Sequence, residues 1–118
     1  MKVETILSKQ RYICNSSTIT EADVRLFMTL VRFDEVYVVY FKTNSNPIST
    51  LPNTLNYCRE LYQIAEIQKS IHMQHIKNHY FTSHPRLNPY AIVPVGPNVL
   101  KDLSKTHDRQ KRFPVVHV

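Results

Sequence analysis

Glycine is almost missing from this sequence: Gly96 is the sole one among 118 residues. Phosphate-cradling loops and dinucleotide-binding turns need several glycines at fixed offsets, so neither class fits. A turn-rich all-β fold is disfavoured too, because its tight turns call for residues that accept positive φ. Cysteine is nearly as scarce. Cys14 and Cys58 stand far apart, form no CxxC pair and are too few for a disulfide scaffold. A reduced, cytoplasmic protein is the expectation. The opening MKVETILSKQRY lacks the apolar core of a signal peptide. Tryptophan is absent, and 118 residues allow one domain with a modest core.

The formal charge of +6 is concentrated near the C-terminus, where Lys101, Lys105, Arg109, Lys111 and Arg112 surround His107 and Asp108. A single-strand nucleic-acid surface interleaves basic residues with stacking aromatics. Only Phe113 is available there. The expectation is a solvated basic tail and no nucleic-acid partner.

What the chain does contain is helical pattern. Val3, Ile6 and Leu7 give residues 2–8 one apolar side, as in the last turns of a helix that begins at or before Met1. After the turn-forming CNSST comes ITEADVRLF, the strongest local signal. Thr20 is a good N-cap, and Asp23 can return its carboxylate to the Thr20 amide as a capping box. Ile19 and Val24 flank the cap as a hydrophobic staple. From Thr20 the pattern predicts one helix to about Phe41, apolar nearly all round and therefore buried in the middle of a bundle. Arg25, Arg32, Asp34 and Glu35 interrupt it, so it is no membrane span, and they are expected to pair with neighbouring helices. Pro52 opens a further helix whose stripe is Leu51, Leu55, Cys58 and Tyr62. Another helix is expected over roughly 66–80. Beyond Ser83, HPRLNPYAIVPVGPN is too proline-rich for helix and must run extended. The reading divides the chain into a helical domain, 1–84, and an extended Pro-rich and basic tail, 85–118, packed on or beside it.

Three stretches, TEADVRLFMTLVRFDEVY, LPNTLNYCRELYQI and MQHIKNHYFTSHPRLNPYAIVPVGP, occur in an order that resembles the glutathionyl-hydroquinone reductases. These are the Xi class of glutathione transferases. The tail THDRQKRF resembles the same family, and the resemblance runs over about residues 2–113. It implies an all-α bundle like the C-terminal domain of glutathione transferases. It also implies a reductase that cleaves the thioether of a glutathionyl-hydroquinone. In that family a thioredoxin-like N-terminal domain carries a Cys-Pro-Trp motif and binds most of the glutathione, which is the co-substrate. Its thiolate takes the glutathionyl group, the hydroquinone leaves, and free glutathione releases glutathione disulfide. The helical domain supplies the aromatic pocket for the quinol and is where the family dimerises.

This sequence departs from the pattern in telling places. It has no thioredoxin-like domain, no Cys-Pro motif and no counterpart of the family's first pocket tyrosine. Cys58 falls on an apolar stripe and reads as core, while Cys14 reads as a loop thiol. The expectation is a quinol-pocket and dimerisation domain that is inactive alone. The alternative is a non-catalytic interaction module built on the same fold. Asn15 stands where the family has glycine, a position Asn can fill in the left-handed conformation. Ala65-Glu66 replaces a Pro-Gly break, so two helices are expected to fuse.

The segment HIKNHYFTSH and the preceding His72 raise a separate question. His72, His75 and His79 fall on one arc of a helix, and HxxxH spacing can hold zinc. No carboxylate or thiol nearby in sequence completes such a site, and the family has Asn at His72, so no metal is expected. The resemblance instead matches Tyr80 to a tyrosine whose hydroxyl meets the quinol. His79 is then its orienting neighbour or a second substrate contact, and His75 and His84 are structural hydrogen-bond partners.

Overall fold

The computed structural model describes residues 2–38, 46–94 and 96–114. In chain order they form α1 (Lys2–Lys9), α2 (Glu21–Leu30), a π-helix (Phe33–Tyr37) and a 3-10 turn (Ile48–Thr50). Then follow α3 (Pro52–Tyr62), α4 (Ala65–Ser70), α5 (Met73–Thr82), α6 (Val99–Leu103) and α7 (Arg109–Arg112). Among the described residues there is no strand, as an all-α chain requires. No helix among them is long and apolar enough to cross a membrane.

The start of α2 is fastened from three sides. Thr20 is extended, with φ −123° and ψ 171°, and its amide donates to Asp23 Oδ2 at 2.9 Å. The other carboxylate oxygen, Oδ1, accepts the Ile13 amide at 2.9 Å and the Tyr57 hydroxyl at 2.7 Å. One buried carboxylate thus caps α2 and ties it to the preceding loop and to α3. Asn15, at φ 54°, turns that loop through the left-handed region, where Asn costs less than most residues.

The expected long helix to Phe41 is interrupted. α2 stops at Leu30, and after Val31 and Arg32 the chain enters the π-helix; residues 39–45 lie outside the description. The Arg32 carbonyl accepts both the Val36 and the Tyr37 amides, at 3.0 and 3.2 Å, which is how a residue is inserted into the helical count. Each inserted residue turns later side chains by about 100° relative to an uninterrupted helix. The expected ion pairs also differ. Asp34 accepts the Ile48 and Ser49 amides at 2.7 and 3.0 Å and so caps the 3-10 turn. Arg32 bonds the Met28 carbonyl, and Arg25 pairs with Glu21 inside α2 on the exposed side. Glu35 alone of the four pairs across elements, at 3.9 Å from Lys77 of α5.

The hub of the bundle is α3 rather than α2. It touches α1, α2, α4, α6, α7 and the 3-10 turn. Thr54, Tyr57, Cys58, Glu60, Leu61 and Tyr62 are all buried on it, a wider face than the expected single stripe. Its N-cap position is Leu51, which has no side-chain oxygen, and Glu4 of α1 takes the role from a distance. The Glu4 carboxylate accepts the Thr54 amide at 2.8 Å, the Asn53 amide at 3.2 Å and both side chains. Burial opposes ionisation of Glu4, but these hydrogen bonds prevail and hold its carboxyl below the usual value.

Two breaks follow that the sequence pattern does not announce. α3 and α4 do not fuse: Ile64 is extended at ψ 121°, and the Gln63 side chain donates to the Leu103 and Lys105 carbonyls at 3.1 and 2.6 Å. That tertiary grip replaces the Pro-Gly punctuation. The expected helix 66–80 is two helices, because Ile71 and His72 are extended, at ψ 117° and ψ 80°. α4 buries none of its own residues, and the break lets Ile71 drop into the core.

The basic tail is not simply solvated. Residues 84–94 and 96–98 are non-helical, but 85–90 fold into turns instead of running extended. The tail then becomes helical: α6 brings Leu103 into the core and α7 delivers Arg109, which is fully buried. Its guanidinium donates to Glu60 Oε2 at 3.2 Å and to the Leu7, Gln10 and Arg11 carbonyls at 3.3, 2.8 and 2.5 Å. It also lies over the Tyr57 and Phe113 rings, at 5.6 and 5.0 Å. A cation at the C-terminal carbonyls of α1 satisfies groups the helix itself leaves open.

Candidate functional site

Tyr80 and His79 sit side by side on α5, and the π-helix presents Tyr37 to them. The two phenol oxygens, Tyr37 and Tyr80, are 3.2 Å apart, and the rings meet edge to face at 5.7 Å. Phe33 extends the aromatic set, with its ring 6.3 Å from that of Tyr37. His79 packs edge-on against Tyr80 at 5.3 Å. Partial burial, and then the bond to Tyr80, push the Tyr37 phenol above its ordinary value, so it stays protonated near neutrality. The pair can therefore donate a hydrogen bond to a ligand oxygen or accept one from a ligand hydroxyl.

The inner face of α5 explains why this arrangement is held. Lys77 and Phe81 are buried, and Lys77 faces Glu35 of the π-helix. Glu35 Oε2 has no hydrogen-bond partner, and burial raises its carboxyl despite the opposing charge of Lys77. The outer face carries His72 and His75, stacked with ring centroids 5.6 Å apart. Together with Arg32, Ser70, Ile76, His79 and Tyr80 they line an open cleft of about 440 Å³. His84 Nδ1 lies 3.2 Å from the Tyr80 carbonyl. Among the described residues no group of three or more His, Cys, Asp or Glu side chains is placed to hold a metal ion.

Thr20 and Asp23 lie at the cap of α2 and line none of this cleft. Cys58 is buried in the core, its thiol pushed up by burial, beside a cavity of only about 20 Å³. A protonated thiol next to room for little more than one water is inert. Cys14 is exposed and distant from the tyrosine pair in sequence and fold element. Sequence reasoning missed Arg32 as a cleft residue and Tyr37 as the partner of Tyr80. The sequence pattern puts both on one unbroken helix, whereas Tyr37 ends a π-helix that packs beside α5.

The described residues form an all-helical bundle with an open, polar cleft along α5. Residues 1–60 match the family model for the glutathione S-transferase C-terminal domain, and the chain belongs to that family. It is 43% identical over 112 residues to the glutathionyl-hydroquinone reductase YqjG of Escherichia coli, covering 95% of this chain and 33% of that protein. The glutathione-bound structure of YqjG superimposes with a TM-score of 0.88, covering 95% of this chain and 35% of that one. The glutathionyl-hydroquinone reductase PcpF of Sphingobium chlorophenolicum is 47% identical over 79 residues, 67% of this chain and 25% of its own. A Xi-class transferase structure from Natrialba magadii is 41% identical with a TM-score of 0.85, covering 92% of this chain and 32% of that one. This chain thus spans about a third or less of the relatives it matches.

Proposed function

We propose that these residues form the quinol-binding half of a glutathione-dependent reductase acting on glutathionyl-hydroquinones. The hydroxyl pair of Tyr37 and Tyr80, 3.2 Å apart with Tyr80 lining the cleft, carries the reading. Similarity to glutathionyl-hydroquinone reductases at 43% and 47% identity supports it. The reaction breaks the carbon–sulfur bond: a thiolate attacks the thioether sulfur, and the quinol ring departs with the bonding electrons as a carbanion–enolate. That anion must gain a proton at carbon or be held at oxygen. Tyr80, hydrogen-bonded to Tyr37, is the group for either task, with His79 packed against its ring as the positioning residue. Glutathione enters as thiol donor and leaves as the disulfide. The attacking thiolate is not in this chain, since Cys58 is protonated in the core and no Cys-Pro-Trp stands among its residues.

The purified chain, given a glutathionyl-hydroquinone and excess glutathione, should release no hydroquinone. Turnover that survives Cys14→Ser and Cys58→Ser together would overturn this assignment. Joined in one polypeptide to a thioredoxin-like domain bearing Cys-Pro-Trp, it should turn over. Tyr80→Phe should then lower kcat/KM about tenfold to a hundredfold. An unchanged kcat/KM would remove Tyr80 from the chemistry.

The same reading makes the protein cytoplasmic, where glutathione is kept reduced, and self-associating. Leu87, Tyr90 and Ile92 are 64%, 84% and 64% exposed, an apolar set suited to burial against a second copy. Light scattering should find a dimer; a monodisperse monomer would exclude it.

A further inference from the structure

We propose that the cleft beside Tyr80 is a subsite for a carboxylate carried on the quinol ring, with Arg32 and His75 as its recognition groups. The proposal rests on the quinol reading of Tyr80 and adds a substrate class to it.

The wall of the cleft is made of hydrogen-bond donors. Arg32, Ser70, His72, His75, His79 and Tyr80 line it with Ile76, and among the described residues no carboxylate lines it. The acidic side chain on the neighbouring π-helix that faces α5, Glu35, is buried on the opposite side against Lys77. By contrast, the other open cleft, around His107 and Lys111, includes the carboxylate of Asp108. The Arg32 guanidinium presents a planar fork of donors suited to a carboxylate. Among the described residues one guanidinium N–H of Arg32 donates to the Met28 carbonyl, and the fork carries five donors in all. Its positive charge already acts on the Tyr37 phenol, so it stands within electrostatic reach of the tyrosine pair. His75 is exposed and stacked on His72, so its imidazole is held in place without being covered. Ile76 offers an apolar wall for a ring edge. At about 440 Å³ the cleft is in the range that takes a substituted ring, roughly 300–1,000 Å³.

A carboxylate could also come from glutathione, so the test compares three probes. The chain and its Arg32→Gln and His75→Gln variants are titrated calorimetrically with hydroquinone, 2,5-dihydroxybenzoate and glutathione. We expect 2,5-dihydroxybenzoate to bind about tenfold or more tighter than hydroquinone, the usual worth of a charge-assisted hydrogen bond. Each variant should shrink that advantage severalfold. His75 is exposed, so its variant remains informative if Arg32→Gln disturbs the α2 end. Equal binding of the two quinols overturns the subsite and leaves the quinol reading standing. An advantage that persists in both variants overturns it as well, because the anion is then read elsewhere. Variant-sensitive binding of glutathione without any preference for the carboxylated quinol assigns the anion to glutathione and overturns the ring assignment. Variant-sensitive binding of 2,5-dihydroxybenzoate that Tyr80→Phe leaves unchanged overturns the quinol reading of Tyr80 and, with it, the placing of the carboxylate on a quinol ring. Silence from all three probes overturns both.

Discussion

Asp23 shows how much one side chain can be asked to do. Its capping of Thr20 is written locally, three residues away, and was legible in ITEADV. Its bond to Tyr57 joins positions 34 apart in the chain and was not, because nothing in either residue's neighbourhood names the other. Removing the carboxylate by Asp23→Ala takes away the cap and strands a buried phenol. Stability should fall by about 2–4 kcal/mol in urea denaturation. Tyr57→Phe alone should cost about 1 kcal/mol, and less than that in the Asp23→Ala background, where the hydroxyl has already lost its partner. Additive losses would mean that the two residues do not act as a pair. Tyr80 belongs to the same scale. The family resemblance drew attention to it, but its companion Tyr37 sits in VYVVYF, a run that reads equally as strand or continuous helix.

At the scale of elements, helix starts were easier to read than helix ends. Thr20 and Pro52 announce α2 and α3 by their own chemistry. The stop after Leu30, the gap between Tyr62 and Ala65 and the kink at Ile71 are decided by partners elsewhere: Asp34 reaching the 3-10 turn, Gln63 holding the tail, Ile71 entering the core. The start of α3 also depends on another element, since Glu4 of α1 supplies its cap. That linkage has a sign. The Glu4 carboxyl is held below its ordinary 4.5, so its contribution is present above that pH and is lost as pH falls through the lower folded-state value. Glu4→Gln should therefore lower Tm at pH 7 and narrow the difference between pH 7 and pH 3. An equal drop in Tm on acidification for both proteins would show that Glu4 is not the titrating cap.

For the whole molecule, the tail decides how the bundle is closed. Arg109 of α7 and Glu60 of α3 lie at the centre of a network that includes Arg11 at 2.6 Å and Tyr12 at 3.1 Å from Glu60. Burial lowers the Arg109 guanidinium, Glu60 opposes this, and the group stays charged among carbonyls. Arg109→Met should cost about 3–5 kcal/mol, because it leaves Glu60 Oε2 and the Leu7, Gln10 and Arg11 carbonyls short of a donor. Arg109→Met with Glu60→Gln should recover part of that loss in chemical denaturation. A loss no larger than that of Lys111→Met, on the exposed side of α7, would return the tail to solvent.

By itself the sequence determined that this chain is all-helical, that α2 starts at a Thr20–Asp23 cap, that Cys58 is core and that α5 stops before the proline-rich stretch that follows Ser83. Each follows from local chemistry: periodic apolar positions, a side chain that can reach its own backbone, prolines that cannot donate. Only the tertiary structure decided which helix is the hub, where α2 gives way to the π-helix, that Arg109 is interior, that Tyr37 bonds Tyr80 and that Arg32 joins Tyr80 at one cleft. Those outcomes depend on hydrogen bonds and packing between residues tens of positions apart, and a buried polar group takes whichever distant partner the packed fold brings within reach.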